Sequence, residues 1–232
     1  MPFVADEAPS RRSWLIAGAV VAASLAVFLL IAEDLLDGGG LISHDHSVLA
    51  WFVENRTDTW VSVARAISTM GSFLVLFGVA VVGFVLLWRR GTSLVLAAAP
   101  GLALCLASLT STVAKSVFGR DRPPVDVRAV TVSLEAFPSG HAANSASFFL
   151  AGALVLGLVV VSGRLAKLAL VAAAAVLAGC VGISRLVLGV HWLSDVVAGW
   201  ALGTAIAVMV VMVAWWLAAR RTPRGRAALP SS

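Results

Sequence analysis

Three stretches of this chain place residue types that handle phosphate or protons inside otherwise apolar sequence. In SRLVLGVHWLSDV, residues 184–196, Arg185, His191 and Asp195 fall within about three helical turns of one another. Charged side chains at a membrane boundary are costly unless they meet an anion or each other, so their presence asks for a function. His191 and Asp195 are four apart, a spacing that puts them on one face of a helix. A carboxylate there holds one imidazole nitrogen protonated and leaves the other free to attack.

The other two stretches supply cations and a helix start. In KSVFGRDRPPV, Lys115 and Arg122 are close to two turns apart, so a helix running that far would align them. Gly119 weakens such a helix and Pro123 disfavours it at Arg122, so the alignment is approximate, and a lysine at this depth also reads as a snorkelling anchor. In FPSGHAANS, Ser139 is placed to cap the next helix, and Gly140 lets a ligand approach the backbone. The free N–H groups and dipole of a helix start favour an anion there, and His141 is placed to exchange a proton with it. Cations, a helix N-terminus and two histidines on one side describe a phosphate site with catalytic groups.

The elements that must hold these groups are membrane helices. Only 12% of the 232 residues are charged, against roughly 25% in a soluble domain, and mean hydropathy is +0.97. Six stretches are long enough to cross a bilayer: 14–32, 70–88, 94–114, 142–161, 165–183 and 196–217. The first is read as a retained signal anchor, because acidic Glu33 and Asp34 follow it and no clear cleavage site does. Six spans put both termini on one side with Arg11, Arg12, Arg89, Arg90, Arg164, Lys167, Arg220, Arg221, Arg224 and Arg226, against only Asp6 and Glu7. That side is expected to be cytoplasmic, which leaves the three motifs facing out. The net charge of +5 is thus mostly a topology signal and gives no reason to invoke nucleic acid. Cys105 and Cys180 fall inside spans without CxxC spacing and read as packing.

The chain reads as one domain over 1–232, with polar tails at 1–13 and 218–232. Between the first two spans, Val48, Leu49, Phe52 and Val53 fall near helical spacing after possible caps at Ser43 or Asp45, which predicts a short helix at the interface. His44 and His46, one residue apart beside a single Asp, read as a polar loop rather than a metal site.

Taken together, Lys115-x6-Arg122-Pro123, Pro138-Ser139-Gly140-His141 and Ser184-Arg185-x5-His191-x3-Asp195 resemble the three-part signature of the type 2 phosphatidic acid phosphatases, the PAP2 or lipid phosphate phosphatase family. The resemblance implies an all-α, polytopic bundle of six transmembrane helices and chemistry without metal or other cofactor. It implies His191 as nucleophile forming a phosphohistidine, Asp195 orienting it and His141 as general acid. Lys115, Arg122, Ser139, Gly140 and Arg185 correspond to the family's phosphate-binding set. Arg120 and Asp121 lie between motif residues with open roles, and Asp121 is expected to pair with a neighbouring arginine.

The residues themselves argue against rival chemistries. A cysteine phosphatase needs a reactive thiolate in an anion loop, and neither cysteine sits in one. A metal phosphatase needs clustered carboxylates and histidines, and the nearest approach is Glu33, Asp34 and Asp37. A site with cations above and apolar walls below suits an amphiphile with an anionic head. The candidates are a polyprenyl diphosphate such as undecaprenyl diphosphate, phosphatidylglycerol phosphate and phosphatidic acid, the first slightly preferred. A phosphotransferase of the same superfamily is the main alternative, and a transporter or non-catalytic lipid binder the lesser one.

Overall fold

Long runs of Leu, Val and Ala with few charges become helices in lipid because the backbone must satisfy its own hydrogen bonds. The computed structural model describes residues 8–133 and 135–221. Among them every regular element is a helix: α1 (Arg11–Asp37), α2 (Asp45–Asn55), α3 (Asp58–Met70), α4 (Phe73–Arg89), α5 (Leu94–Phe118), α6 (Gly140–Val159), α7 (Arg164–Val187) and α8 (Leu193–Arg221). Short 3-10 turns cover Gly40–His44 and Val125–Val127. The helices run into both expected tails, since α1 begins at Arg11 and α8 reaches Arg221. The remainder of those tails, 1–7 and 222–232, lies outside the described residues.

Five helices, α1, α5, α6, α7 and α8, are each long and apolar enough to span a bilayer. The span expected over 70–88 corresponds mainly to α4. α4 alone has 17 residues and reaches about 26 Å, and α3 and α4 together are long and apolar enough for a sixth span, bent by 48° at the break of Gly71 and Ser72. At the bend Gly71 lies against α7, where an added Cβ would stand 2.3 Å from Val181 Cγ1. Large apolar side chains such as Leu74 and Leu165 are exposed on the outer faces, as lipid contact requires. The protein is a multi-span membrane protein built as an all-α bundle.

α6 is the central helix. It packs on α5, α7 and α8, and 67% of its most apolar stretch is buried, against 17% for α1. Small residues make this possible: Ala142, Ala143, Ser145, Ala146 and Ser147 line its buried side. Facing them, α8 carries Gly199 and Gly203, where an added Cβ would lie 2.6 Å from Ser139 O and 2.3 Å from Ala143 O. The two backbones therefore touch directly, which brings the start of α6, with Ser139, Gly140 and His141, against the start of α8, with Asp195. The backbone bond from Ser139 N to Asp195 O, 2.9 Å, ties the two starts together.

The loop helices cover that same end of the bundle. The expected short helix exists as α2, but neither proposed cap forms. Ser43 Oγ turns back to Gly40 O, and Asp45 is the first helical residue with its side chain drawn into the protein. The two cysteines are free, Cys105 half-buried on α5 and Cys180 exposed on α7.

Candidate active site

The nucleophile candidate does not ride on a helix. His191 precedes α8 in a turn that leaves α7 at Val187, so its approach to Asp195 comes from capping rather than from a shared helical face. Gly189 makes the turn at φ +66, in a place where a side chain would also strike Val127 O at 2.5 Å. Asp195 then reaches back from the first turn of α8. Its Oδ2 accepts the backbone N–H of Trp192 at 3.0 Å and lies 3.2 Å from His191 Nδ1. This is the reciprocal half of a capping box, used here to aim an imidazole.

The hydrogen bonds assign the tautomer. Arg122 Nη1 lies 3.1 Å from His191 Nε2. A guanidinium only donates, so Nε2 is the acceptor and the ring proton sits on Nδ1, donated to Asp195. Burial holds the His191 pKa well below its ordinary value, helped by Arg122, Arg185, Lys115 and His141 in that order. His191 is therefore neutral at neutral pH, with a lone pair on Nε2 directed toward the cations. The same four residues acting on one ring also establish that the three sequence stretches converge.

Each cation is anchored. α5 ends at Phe118 with Gly119 left-handed, so Lys115 lies in its last turn and the helix does not carry Arg122 into line. The loop does so instead. Lys115 is buried and its Nζ donates to Glu135 O at 2.6 Å and Ala136 O at 3.1 Å, which holds the segment leading to Pro138. Arg122 donates to Val190 O at 2.7 Å and Ser133 O at 3.2 Å. Burial lowers its pKa from the ordinary value while Asp195 opposes the shift, so an anion beside it is favoured. Arg185, buried at the end of α7, donates through Nη1 to Ser68 Oγ of α3.

Ser139 occupies the N-cap position of α6 as expected, but its hydroxyl does not cap the helix. Ser139 Oγ and Arg185 Nε are both buried without a hydrogen-bond partner in the protein. A buried donor of this kind is costly unless a ligand completes it.

Sequence reasoning missed the groups behind His191. Arg120 binds two buried carboxylates, Asp195 Oδ1 and Asp45 Oδ2, each at 2.6 Å. Asp121 does not form the expected ion pair with an arginine among the described residues, and its contact in the site is a carbonyl that accepts Trp192 Nε1 at 2.9 Å. His46 packs its ring 4.7 Å from that of Trp192. Asp45 and Asp195 are too distant in the chain for any spacing rule to connect them. The one available signal was an aspartate inside an interfacial segment that had no obvious partner.

Membrane helices and their loops thus close an imidazole, a carboxylate and three cations into one end of the bundle. The sequence model of the PAP2 superfamily matches residues 96–219, and the chain belongs to that superfamily. No curated protein matches it. Among solved structures it is similar to the transmembrane PAP2-type phosphatidylglycerolphosphate phosphatase of Bacillus subtilis, at 27% identity and TM-score 0.72, over 81% of this chain and 93% of that one. It shares its fold, at 20% identity and TM-score 0.52, with LpxE of Aquifex aeolicus, over 72% of this chain and 93% of that one.

Proposed function

We propose that the protein hydrolyses a terminal phosphate from a membrane lipid through a phosphohistidine. The observation that carries this reading is the pose of His191: neutral, proton on Nδ1 toward Asp195, and the Nε2 lone pair facing Arg122, from which it accepts a hydrogen bond. Nε2 attacks phosphorus, the bond to the leaving oxygen breaks, and His141 gives that oxygen a proton. Asp195 stabilises the positive charge the ring acquires. Arg122, Arg185, Lys115, Ser139 and Gly140 hold the phosphoryl oxygens, with the unpartnered Ser139 Oγ and Arg185 Nε as donors waiting for an oxyanion. Water then attacks the phosphohistidine, His141 takes its proton, and inorganic phosphate leaves. Every charge this sequence develops is met by a residue of the chain, so the reading calls for no metal or other cofactor.

The substrate is an amphiphile drawn from the bilayer, whose head enters the polar end while its tail stays among the helices. Polyprenyl diphosphate, phosphatidylglycerol phosphate and phosphatidic acid all satisfy that chemistry. The basic-residue asymmetry supports cytoplasmic termini in the cell membrane and a site facing outward. A cysteine at exposed Asp126 in a Cys-free background is then labelled by an impermeant reagent on intact cells, and one at exposed Ser162 is not. The reverse pattern would turn the site to the cytoplasm.

The deciding experiment is phosphate release by purified protein over those three lipids with EDTA present, alongside His141→Ala. Because nitrophenolate leaves unaided and a lipid alkoxide does not, His141→Ala should lose lipid turnover by about 10²–10⁴-fold and keep initial attack on p-nitrophenyl phosphate far better. Phosphate from none of the lipids would end the proposal. Phosphate appearing on an added alcohol rather than in solution would convert it to a phosphotransferase.

A further inference from the structure

Asp45 lies outside the residues that the superfamily model matches, 96–219, yet its carboxylate is joined through Arg120 to Asp195. It opens α2 and is 1% exposed. A buried carboxylate is costly unless each oxygen is engaged. Here Oδ1 accepts Ser194 N at 2.9 Å, while Oδ2 accepts Ser194 Oγ at 2.5 Å and Arg120 Nη2 at 2.6 Å. The other arm of Arg120, Nη1, donates to Asp195 Oδ1 at 2.6 Å and to Ser194 Oγ at 2.7 Å. One guanidinium thus bridges two buried carboxylates, and the second carboxylate holds His191.

The charges explain why two carboxylates share one arginine. Asp195 paired with Arg120 alone would be neutral as a unit, with little left to stabilise the cationic ring that forms when Nε2 bonds to phosphorus. Asp45 supplies a second negative charge and accepts the hydrogen bond from the guanidinium's Nη2. Two carboxylates and one guanidinium leave the cluster at net −1 beside His191, in a buried setting where charge acts strongly. The geometry is fixed by the same contacts. Asp195 has Oδ1 on Arg120 and Oδ2 on Trp192 N and His191, so its plane cannot turn without breaking a bond. The α2 segment reinforces this from outside, with His46 packed on Trp192 and the Arg120 guanidinium 5.6 Å from the centre of that same ring.

We propose that Asp45 and Arg120 are positioning residues for the phosphoryl-transfer nucleophile: they fix the Asp195 carboxylate and preserve one net negative charge behind His191, which makes α2 part of the active site. The inference rests on the reading of His191 as nucleophile, and the test separates the two. Asp45→Asn keeps the shape and the acceptor for Ser194 N but removes the charge. Its kcat per folded molecule should fall about 10²-fold with KM unchanged, as expected when a reacting group loses its alignment. The factor should be the same for a lipid phosphate and for p-nitrophenyl phosphate, because the defect lies with the nucleophile and not with the leaving group.

Arg120→Lys, which keeps a charge but cannot bridge both carboxylates, should fall between Asp45→Asn and the unaltered protein. A purely structural role would lower the folded fraction and leave kcat per folded molecule unchanged, and that result would overturn the proposal. Normal kcat in Arg120→Lys would also overturn it. If Asp45→Asn yields no folded protein, Ser194→Ala loosens the same carboxylate without changing charge. It should lower kcat less steeply, again at constant KM, and an unchanged kcat there would overturn the proposal. His191→Gln is measured alongside, and turnover surviving in it would instead remove the nucleophile reading on which the inference stands.

Discussion

The two ends of the bundle use the same helices in opposite ways. At the site end, α6 and α8 meet backbone to backbone at Gly199 and Gly203, and the loops press down so closely that Asp195, His191 and Ser139 are 0–2% exposed. At the other end α4, α5, α6 and α7 diverge around a cavity of about 500 Å³ lined by Phe84, Leu87, Phe148, Phe149, Leu156 and their apolar neighbours, with Arg90 at its edge. Ions behind a nucleophile must be held in one arrangement, since an uncompensated buried charge is far more costly than a void. Apolar side chains facing lipid carry no such requirement, because lipid tails replace the contacts that protein leaves out. The buried charged and polar groups are therefore fixed at the site end, while the other end is packed with apolar side chains such as Leu96, Ala99 and Val155 around its cavity.

That contrast can be broken most severely at the proposed nucleophile. His191→Gln should reduce phosphate release by on the order of 10⁴-fold while the protein inserts and folds normally, measured as kcat/KM on a lipid phosphate. Near-normal turnover would show that the ordered end serves some other purpose. Arg122→Lys comes next. Lysine cannot reproduce a fork that spans Val190 O, Ser133 O and the phosphate site, so kcat/KM should fall by about 10²–10³-fold without loss of folded protein.

The smaller effects compare the ends directly. Gly203→Val places a branched side chain where a Cβ alone would lie 2.3 Å from Ala143 O, so α8 must move off α6. The variant should lose about 1–3 kcal/mol of stability, read as a lower Tm in detergent, and should lose activity with it as Asp195 shifts. Gly152→Ala, on the same helix α6 but lining the cavity with nothing within 4 Å of an added Cβ, should gain about 0.5–1 kcal/mol and leave kcat unchanged. Equal responses at the two glycines would mean that packing density does not distinguish the ends.

Much of the site could be read before the fold was known, because its residue types are expensive in an apolar sequence. Lys115, Arg122, His141, Arg185, His191 and Asp195 stand out against Leu and Val, and their spacing was enough to group them. What spacing misjudged was the means of assembly. A helical face was expected to align His191 with Asp195 and, only approximately past Gly119 and Pro123, Lys115 with Arg122, whereas a glycine turn and a reach-back cap do the first and an irregular loop does the second. Ser139 was expected to cap a helix, and its hydroxyl is instead left unbonded inside the site. The second span was expected over 70–88, and the break at Gly71 that joins α4 to α3 was not foreseen, because only contact with Val181 on another helix marks that position.

Local physics alone determines that this chain enters a bilayer, since hydropathy and span length are properties of contiguous residues. It also determines that the three charged stretches need partners, since an isolated ion in lipid is too costly to persist. Tertiary structure alone decided which partners they received. Asp45 and Asp195 share Arg120 across 75 residues of chain on either side, and no periodicity operates over such a distance. That pairing exists because α2 folds over the end of α7 and the start of α8, where two carboxylates removed from water must find a cation, and Arg120 is placed between them.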